Sequence, residues 1–180
     1  IDLEILYRRT LEQWARAVAD QRQALFESFQ GLAVRAAREG SVASNAWEFD
    51  RWFTHAHLML ICVRNVWRFA SALRDLNPSA EGVEYLSSFE HQLVGASEMR
   101  DFLEHFDDYA RGTGRAQKKG RLPTPDELGS ISIDENQGFE SMTYNFGGLS
   151  VNLSEAHSAA MFAAQMILGK QFIRPEWSSR

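Results

Sequence analysis

The sequence predicts a mainly α-helical protein, a bundle of long helices with a small antiparallel β-sheet appended. Apolar residues recur at three- and four-residue steps through most of the chain, which is typical of amphipathic helices. Residues 130–153 instead alternate apolar and polar side chains, which is typical of strands. The 180 residues are 44% hydrophobic and include five Trp and 12 Phe, enough for one domain with a sizeable core. We therefore expect a single domain over residues 1–180.

The first two predicted helices form the frame of this bundle. The first spans residues 2–29, where apolar residues share one face and no Gly or Pro occurs. Gln30-Gly31 is expected to end it and to leave a short helix or loop before the next element, because glycine is a common helix terminator. The second helix spans residues 45–76 and is apolar nearly all round near its middle, which predicts contacts on several sides. Pro78 stops it.

A third helix, the sheet and a fourth helix complete the prediction. The third helix spans residues 80–111, and the fourth spans residues 154–168. Between them, the alternating residues 130–153 predict a small antiparallel sheet, with Gly147-Gly148 as a two-residue hairpin connection. Asn152 or Ser154 is expected to cap the fourth helix, and Gly169 to end it. The alanines of this last helix predict a packing face of small residues.

Composition excludes several classes of protein. A net charge of −5 argues against a protein that coats nucleic acid, although a local basic site remains compatible with it. The single cysteine, Cys62, excludes an internal disulfide framework and favours a reducing compartment, so we expect a cytosolic protein. No run reaches the roughly 20 uncharged apolar residues of a membrane span, since Arg64 interrupts the best candidate. No targeting segment is visible, and no membrane association is expected.

The third predicted helix carries polar residues on both flanks of an apolar stripe. The stripe recurs at helical spacing through residues 99–110 and must face a core. His105 lies beside one edge of the stripe, with Asp101 one turn earlier. Arg100 lies beyond the opposite edge. An arginine, an acidic residue and a histidine therefore border one buried face.

One segment resembles the signature of HEPN domains: Arg100-Asp101-Phe-Leu-Glu-His105. In that signature an arginine and a histidine are separated by four residues, and the first of these four is polar. HEPN domains are all-helical. Many are metal-independent ribonucleases of toxin–antitoxin, phage-defence and RNA-processing systems, and others are non-catalytic. The resemblance covers six residues. It implies Arg100 and His105 as the active pair, Asp101 as the polar residue after the arginine, no cofactor, and a homodimer.

These residue types suit cleavage of RNA through its own 2′-hydroxyl. That reaction needs a base, an acid and a cation that stabilises charge on the phosphate. His105 and Arg100 supply these groups without a metal, and Asp101 is placed to accept a hydrogen bond from the imidazole ring. Residues five apart on a helix are separated by about 140° around its axis. A two-fold partner is one arrangement that brings the two side chains together.

A strongly basic stretch follows the motif. Residues 111–121 contain five cations and no carboxylate: Arg111, Arg115, Lys118, Lys119 and Arg121. A solvated loop is the default interpretation of such a run, and binding of RNA phosphates is the alternative. An antitoxin or sensor protein is a further expected partner of a protein of this kind.

Two other functions remain open from the sequence. A non-catalytic interaction or ligand-binding module would use the motif helix only as structure. A metal-binding bundle would combine Glu98, Asp101 and His105 with His57 or His91 of a second helix, although this spacing matches no known metal signature. His55, His57 and His91 are otherwise expected to be buried and hydrogen-bonded, and His157 to be a surface residue. Cys62 is a poor candidate nucleophile, and no P-loop, serine-elbow or zinc-protease motif occurs.

Overall fold

The computed structural model describes residues 2–39, 46–79, 86, 90, 95, 96, 100, 130–132, 138–146 and 149–171. Two long helices come first, α1 (Leu3–Glu39) and α2 (Ala46–Leu76). A three-stranded antiparallel sheet follows, formed by β1 (Ser130–Ser132), β2 (Thr143–Phe146) and β3 (Leu149–Asn152). Helix α3 (Leu153–Leu168) comes last. The predicted mainly α fold with a small antiparallel sheet is confirmed.

Helices α1 and α2 pack antiparallel along most of their length. Near the start of α1, Tyr7 contacts Phe69 with ring centroids 5.8 Å apart. Further along, Phe29 stacks on Trp52 at 5.8 Å with an interplanar angle of 3°. Low residue numbers of one helix thus meet high numbers of the other. Fully buried residues at helical spacing line the contact: Leu11, Ala15, Val18 and Leu25 from α1, and Ala56, Met59, Leu60, Val63, Val66 and Ala70 from α2.

Helix α1 is longer than the sequence predicted. It continues through Gly31 to Glu39, so the expected end at residue 29 and the separate short segment after it are wrong. Gly31 is exposed, and no atom lies within 4 Å of the place where its Cβ would stand. A glycine inside a helix costs about 1 kcal/mol relative to alanine. The residues after it are mainly Ala, Arg, Leu and Glu, which favour helix and outweigh that local cost.

Helix α3 follows the sheet without a loop. The side chain of Asn152 caps it by accepting a hydrogen bond from the backbone N–H of Glu155 at 2.9 Å, so Asn152 rather than Ser154 is the cap. Gly169 ends it in the left-handed conformation with φ 61°, as predicted. Ala156, Ala160, Ala163 and Ala164 are buried, which confirms the small-residue packing face. Arg8 of α1 donates to the carbonyl of Ile167 at 2.8 Å.

The sheet joins the same core through aromatic side chains. Phe146 pairs with Leu149 across β2 and β3, so a two-residue connection lies between them, as the glycine pair predicted. Tyr144 of β2 meets Phe53 of α2 edge to face at 5.5 Å. Before β2, a 3₁₀ turn (Gly138–Ser141) places Phe139 against α1. The sheet is therefore packed on the helices rather than set apart from them.

The predicted third helix is described at five positions, and the backbone is helical at each of them. These are Leu86, Glu90, Gly95, Ala96 and Arg100. Leu86 and Ala96 are fully buried and belong to the same core as α1, α2 and α3. The rest of residues 80–111 lies outside the described residues. Among the helices that are described, none combines the length and the apolar character needed to cross a membrane.

Two glycine substitutions test the assignment of α1 and α3. Gly31→Ala should raise the free energy of unfolding by about 0.5–1 kcal/mol, because alanine restricts the unfolded chain and meets no neighbour in the helix. Gly169→Ala should lower it by about 1–2 kcal/mol, because its positive φ strains any residue with a Cβ. Urea unfolding followed by circular dichroism measures both. Destabilisation by Gly31→Ala would contradict a continuous α1.

Candidate functional site

Arg100 lies at the boundary between the core and the outer face of its helix. Its backbone is helical and its side chain is half-buried. Fully buried Ala96 precedes it by one turn, so the two residues are neighbours on the helix surface. The Nε atom of Arg100 is itself buried. Burial of this atom restricts the positions that the guanidinium can take.

The other predicted site residues lie outside the described part of the chain. This holds for His105 and Asp101 of the motif and for all five cations of the basic stretch 111–121. It also holds for Glu98 and His91 of the alternative metal site. Among the described residues, no group of three or more His, Cys, Asp or Glu side chains is placed to hold a metal ion.

The two described histidines of α2 are half-buried. The Nδ1 atom of His55 lies 2.9 Å from Oε1 of Gln21 on α1, within hydrogen-bond distance. Burial lowers the pKa of His55, and the charge of Arg51 lowers it further, so this imidazole is neutral at physiological pH. His57 has its Nε2 atom buried. His55 is thus hydrogen-bonded, as expected, but it is half-buried rather than buried.

His157 is not the surface residue that its place in the first turn of a helix suggested. It is half-buried, because the 3₁₀ turn and α1 pack against the start of α3. Burial is the main cause that lowers its pKa to about 4, with a smaller lowering by the nearby charge of Arg22 and a partial offset by Glu140. At neutral pH His157 is therefore uncharged.

Arg22 links three elements around this histidine. Its Nη2 atom donates to Oε1 of Glu140 at 2.5 Å, and its Cζ atom lies 5.5 Å from the ring centroid of Phe139. Ser154 of α3 also donates to the carbonyl of Phe139, at 3.4 Å. Sequence reasoning missed this cluster because Arg22 and Glu140 are 118 residues apart. These contacts hold the 3₁₀ turn against α1 and α3.

Two described side chains that could act as nucleophiles, Cys62 and Tyr144, are poorly activated. Cys62 is buried, and burial raises the pKa of its thiol to about 11, with a smaller contribution from Asp20. Burial likewise raises the pKa of Tyr144 to about 12. A thiol with so high a pKa is almost fully protonated at neutral pH and is a weak nucleophile. Cys62 acts as a packing residue, in agreement with its apolar sequence surroundings.

No protein-family model matches the chain, and neither a curated protein nor a solved structure is similar enough to count as a relative. The functional assignment therefore depends on the residues of this chain.

Acid should destabilise the fold through His157. The unfolded chain protonates this residue near its ordinary pKa of 6.5, whereas the folded protein resists protonation until about pH 4. The unfolded state binds more protons in that window, so stability is full above pH 6.5 and falls as the pH falls toward 4. His157→Gln should lose less stability than wild type between about pH 7 and about pH 5. Urea unfolding at both pH values measures this, and equal losses would show that His157 is not buried as described.

Proposed function

We propose that the protein is a metal-independent endoribonuclease of the HEPN type, acting as a cytosolic homodimer in a toxin–antitoxin or phage-defence system. The observation that carries the proposal is the position of Arg100. The first residue of the motif lies on a helix, one turn from fully buried Ala96, with its Nε atom buried. A buried stem orients the guanidinium, and an oriented cation is what phosphate chemistry requires. The resemblance implies an all-helical fold, and the mainly α fold agrees with it except for the small sheet.

Each motif residue has a separate part in the proposed reaction. His105 removes the proton of the 2′-hydroxyl, and an imidazole also serves as the acid that protonates the leaving 5′-oxygen. Arg100 stabilises the charge that develops on the phosphate. Asp101 accepts a hydrogen bond from the ring of His105 and fixes its tautomer. The reaction yields a 2′,3′-cyclic phosphate and requires no cofactor.

The basic stretch supplies an attraction for RNA directly beside the motif, in a chain that is acidic overall. Arg111, Arg115, Lys118, Lys119 and Arg121 directly follow the motif in sequence. Their cations would hold the phosphate backbone beside the active pair and offset the negative charge of Asp101. An antitoxin or sensor protein that covers the same cations would silence the enzyme.

Substitution of the motif histidine tests the proposed activity. His105→Ala should reduce cleavage of single-stranded RNA at least about 100-fold, the lower end of what a general acid or base contributes. Circular dichroism and the melting temperature should stay near wild type, since a residue on the flank of an apolar stripe carries little packing. His157→Gln provides a control in a histidine that the proposed mechanism does not use.

The products and the response to chelation separate the alternatives. EDTA should leave the rate unchanged, and the products should carry 2′,3′-cyclic phosphate ends. Loss of activity with EDTA would favour the metal-binding bundle. Wild-type activity of His105→Ala would show that the motif is not the active site and would refute the proposed assignment. No cleavage by the wild type would favour the non-catalytic module.

Complementation tests the homodimer. Arg100 and His105 lie on opposite flanks of the stripe, so two motif helices related by a two-fold axis would bring the histidine of one chain near the arginine of the other. Mixing inactive Arg100→Ala chains with inactive His105→Ala chains should therefore restore up to about a quarter of the wild-type rate after subunit exchange. Mixtures of each variant with itself provide the control. A monomer in sedimentation that still cleaves RNA would exclude a composite site.

A further inference from the structure

We infer that one face of α2 binds a phosphate group, through Arg64, Trp67, Arg68 and Ser71. None of these four residues belongs to the motif. The identification of RNA as a source of that phosphate rests on the proposed function, whereas the phosphate chemistry itself does not.

The charge of α2 differs from that of the whole chain. Residues 51–74 contain four of the 19 basic residues and none of the 24 acidic ones, in a chain of net charge −5. They also contain His55 and His57. Glu48, Asp50 and Asp75 lie outside these residues, so the middle of α2 carries only positive formal charge of its own, which favours anions.

The four residues form one continuous patch on the helix. Arg64 and Ser71 each lie three or four residues from both Trp67 and Arg68, so they connect these two adjacent residues into one patch on one side of α2. Val63, Val66 and Ala70, which belong to the buried stripe, lie on another side of the helix. Trp67 borders that stripe and packs against the core. The patch thus begins at the edge of the core and extends outward to Arg68, which is exposed.

Two polar atoms in the patch are buried without a partner. The Nε1 atom of Trp67 and the Oγ atom of Ser71 have no hydrogen bond within the described structure. Folded proteins pair almost all of their buried polar groups, because an unpaired one costs free energy. The indole N–H is a donor only, and the hydroxyl has one O–H to donate. Each group can therefore donate a hydrogen bond to a bound ligand, and a phosphate oxygen is a strong hydrogen-bond acceptor.

The arginines supply the charge that such an acceptor needs. Arg68 lies over the ring of Phe69, with its Cζ atom 5.8 Å from the ring centroid, and has no carboxylate partner among the described residues. Arg64 is half-buried, with its Nε atom inside the protein. Guanidinium groups bind phosphate through paired N–H donors. Cations and hydrogen-bond donors on one face of the helix match an oxyanion better than a cation or an apolar ligand.

The indole N–H of Trp67 is a direct reporter of occupancy. The chain has five Trp residues, so a ¹⁵N-labelled protein gives at most five indole signals, and Trp67→Phe identifies the one from Trp67. Inorganic phosphate should move that signal saturably, whereas chloride at equal ionic strength should not. A short single-stranded RNA should move the same signal if the phosphate of an RNA chain is the ligand. Movement with inorganic phosphate alone would assign the site to a small phosphate compound.

Matched variants separate a site from a general effect of charge. Arg68→Ala should weaken phosphate binding about tenfold, the loss expected for one charge-assisted hydrogen bond. Arg9→Ala removes the same charge from an exposed position of α1 and should change the affinity less than twofold. Ser71→Ala should not lower the melting temperature without phosphate, because its hydroxyl has no partner to lose. With phosphate present, Ser71→Ala should gain less stability than wild type.

Three results would overturn the inference. They are an unmoved Trp67 signal, equal movement with chloride, and equal weakening by Arg9→Ala and Arg68→Ala. An unmoved Trp67 signal together with RNA cleavage that depends on His105 would refute this site and leave the proposed function intact. Phosphate binding that depends on Arg68, without any RNA cleavage, would support this site and refute the proposed function.

Discussion

The antiparallel contact between α1 and α2 is the constraint on which the other described elements depend. Residues at helical spacing on each helix are buried against each other along the pair, and burial of such side chains is the main source of folding free energy. Helix α3 adds its alanine face to this pair, and the small side chains let its backbone approach closely. The sheet reaches the pair through Tyr144 and Phe139. None of these later elements has a core of its own.

The elements that the sequence predicted well are those with a strong local signal. Helix α2 shows helical periodicity over its whole length. Asn152 and Gly169 mark the two ends of α3 through side-chain and backbone chemistry that acts within a few residues. The end of α1 was misjudged because a single glycine is a weak stop signal. Its cost is local and small, whereas helix-forming residues continue for two further turns.

The same distinction between local and long-range signals applies to the candidate site. The motif was visible in sequence because all its residues lie within one short stretch. The environment of His157 was not visible, since it arises where α1, the 3₁₀ turn and α3 meet, and their residues are far apart in the chain. The phosphate-binding patch on α2 was hidden for a different reason. Spacing alone places Arg64, Trp67, Arg68 and Ser71 together, but only burial identifies two of their polar atoms as lacking a partner.

Strand β3 passes into α3 at Asn152, which is both the last residue of the strand and the cap of the helix. The backbone N–H of Leu153 donates to the carbonyl of Met142 at 2.9 Å, just beyond the paired residues Thr143 and Asn152. Because no loop separates them, the pairing register of β3 also fixes the rotation of α3 about its axis. A slip of one residue in the hairpin would reverse the faces of β3 and rotate α3 by about 100° about its axis. The alanine face would then turn away from α1 and α2, so correct pairing of two short strands sets the orientation of an entire helix.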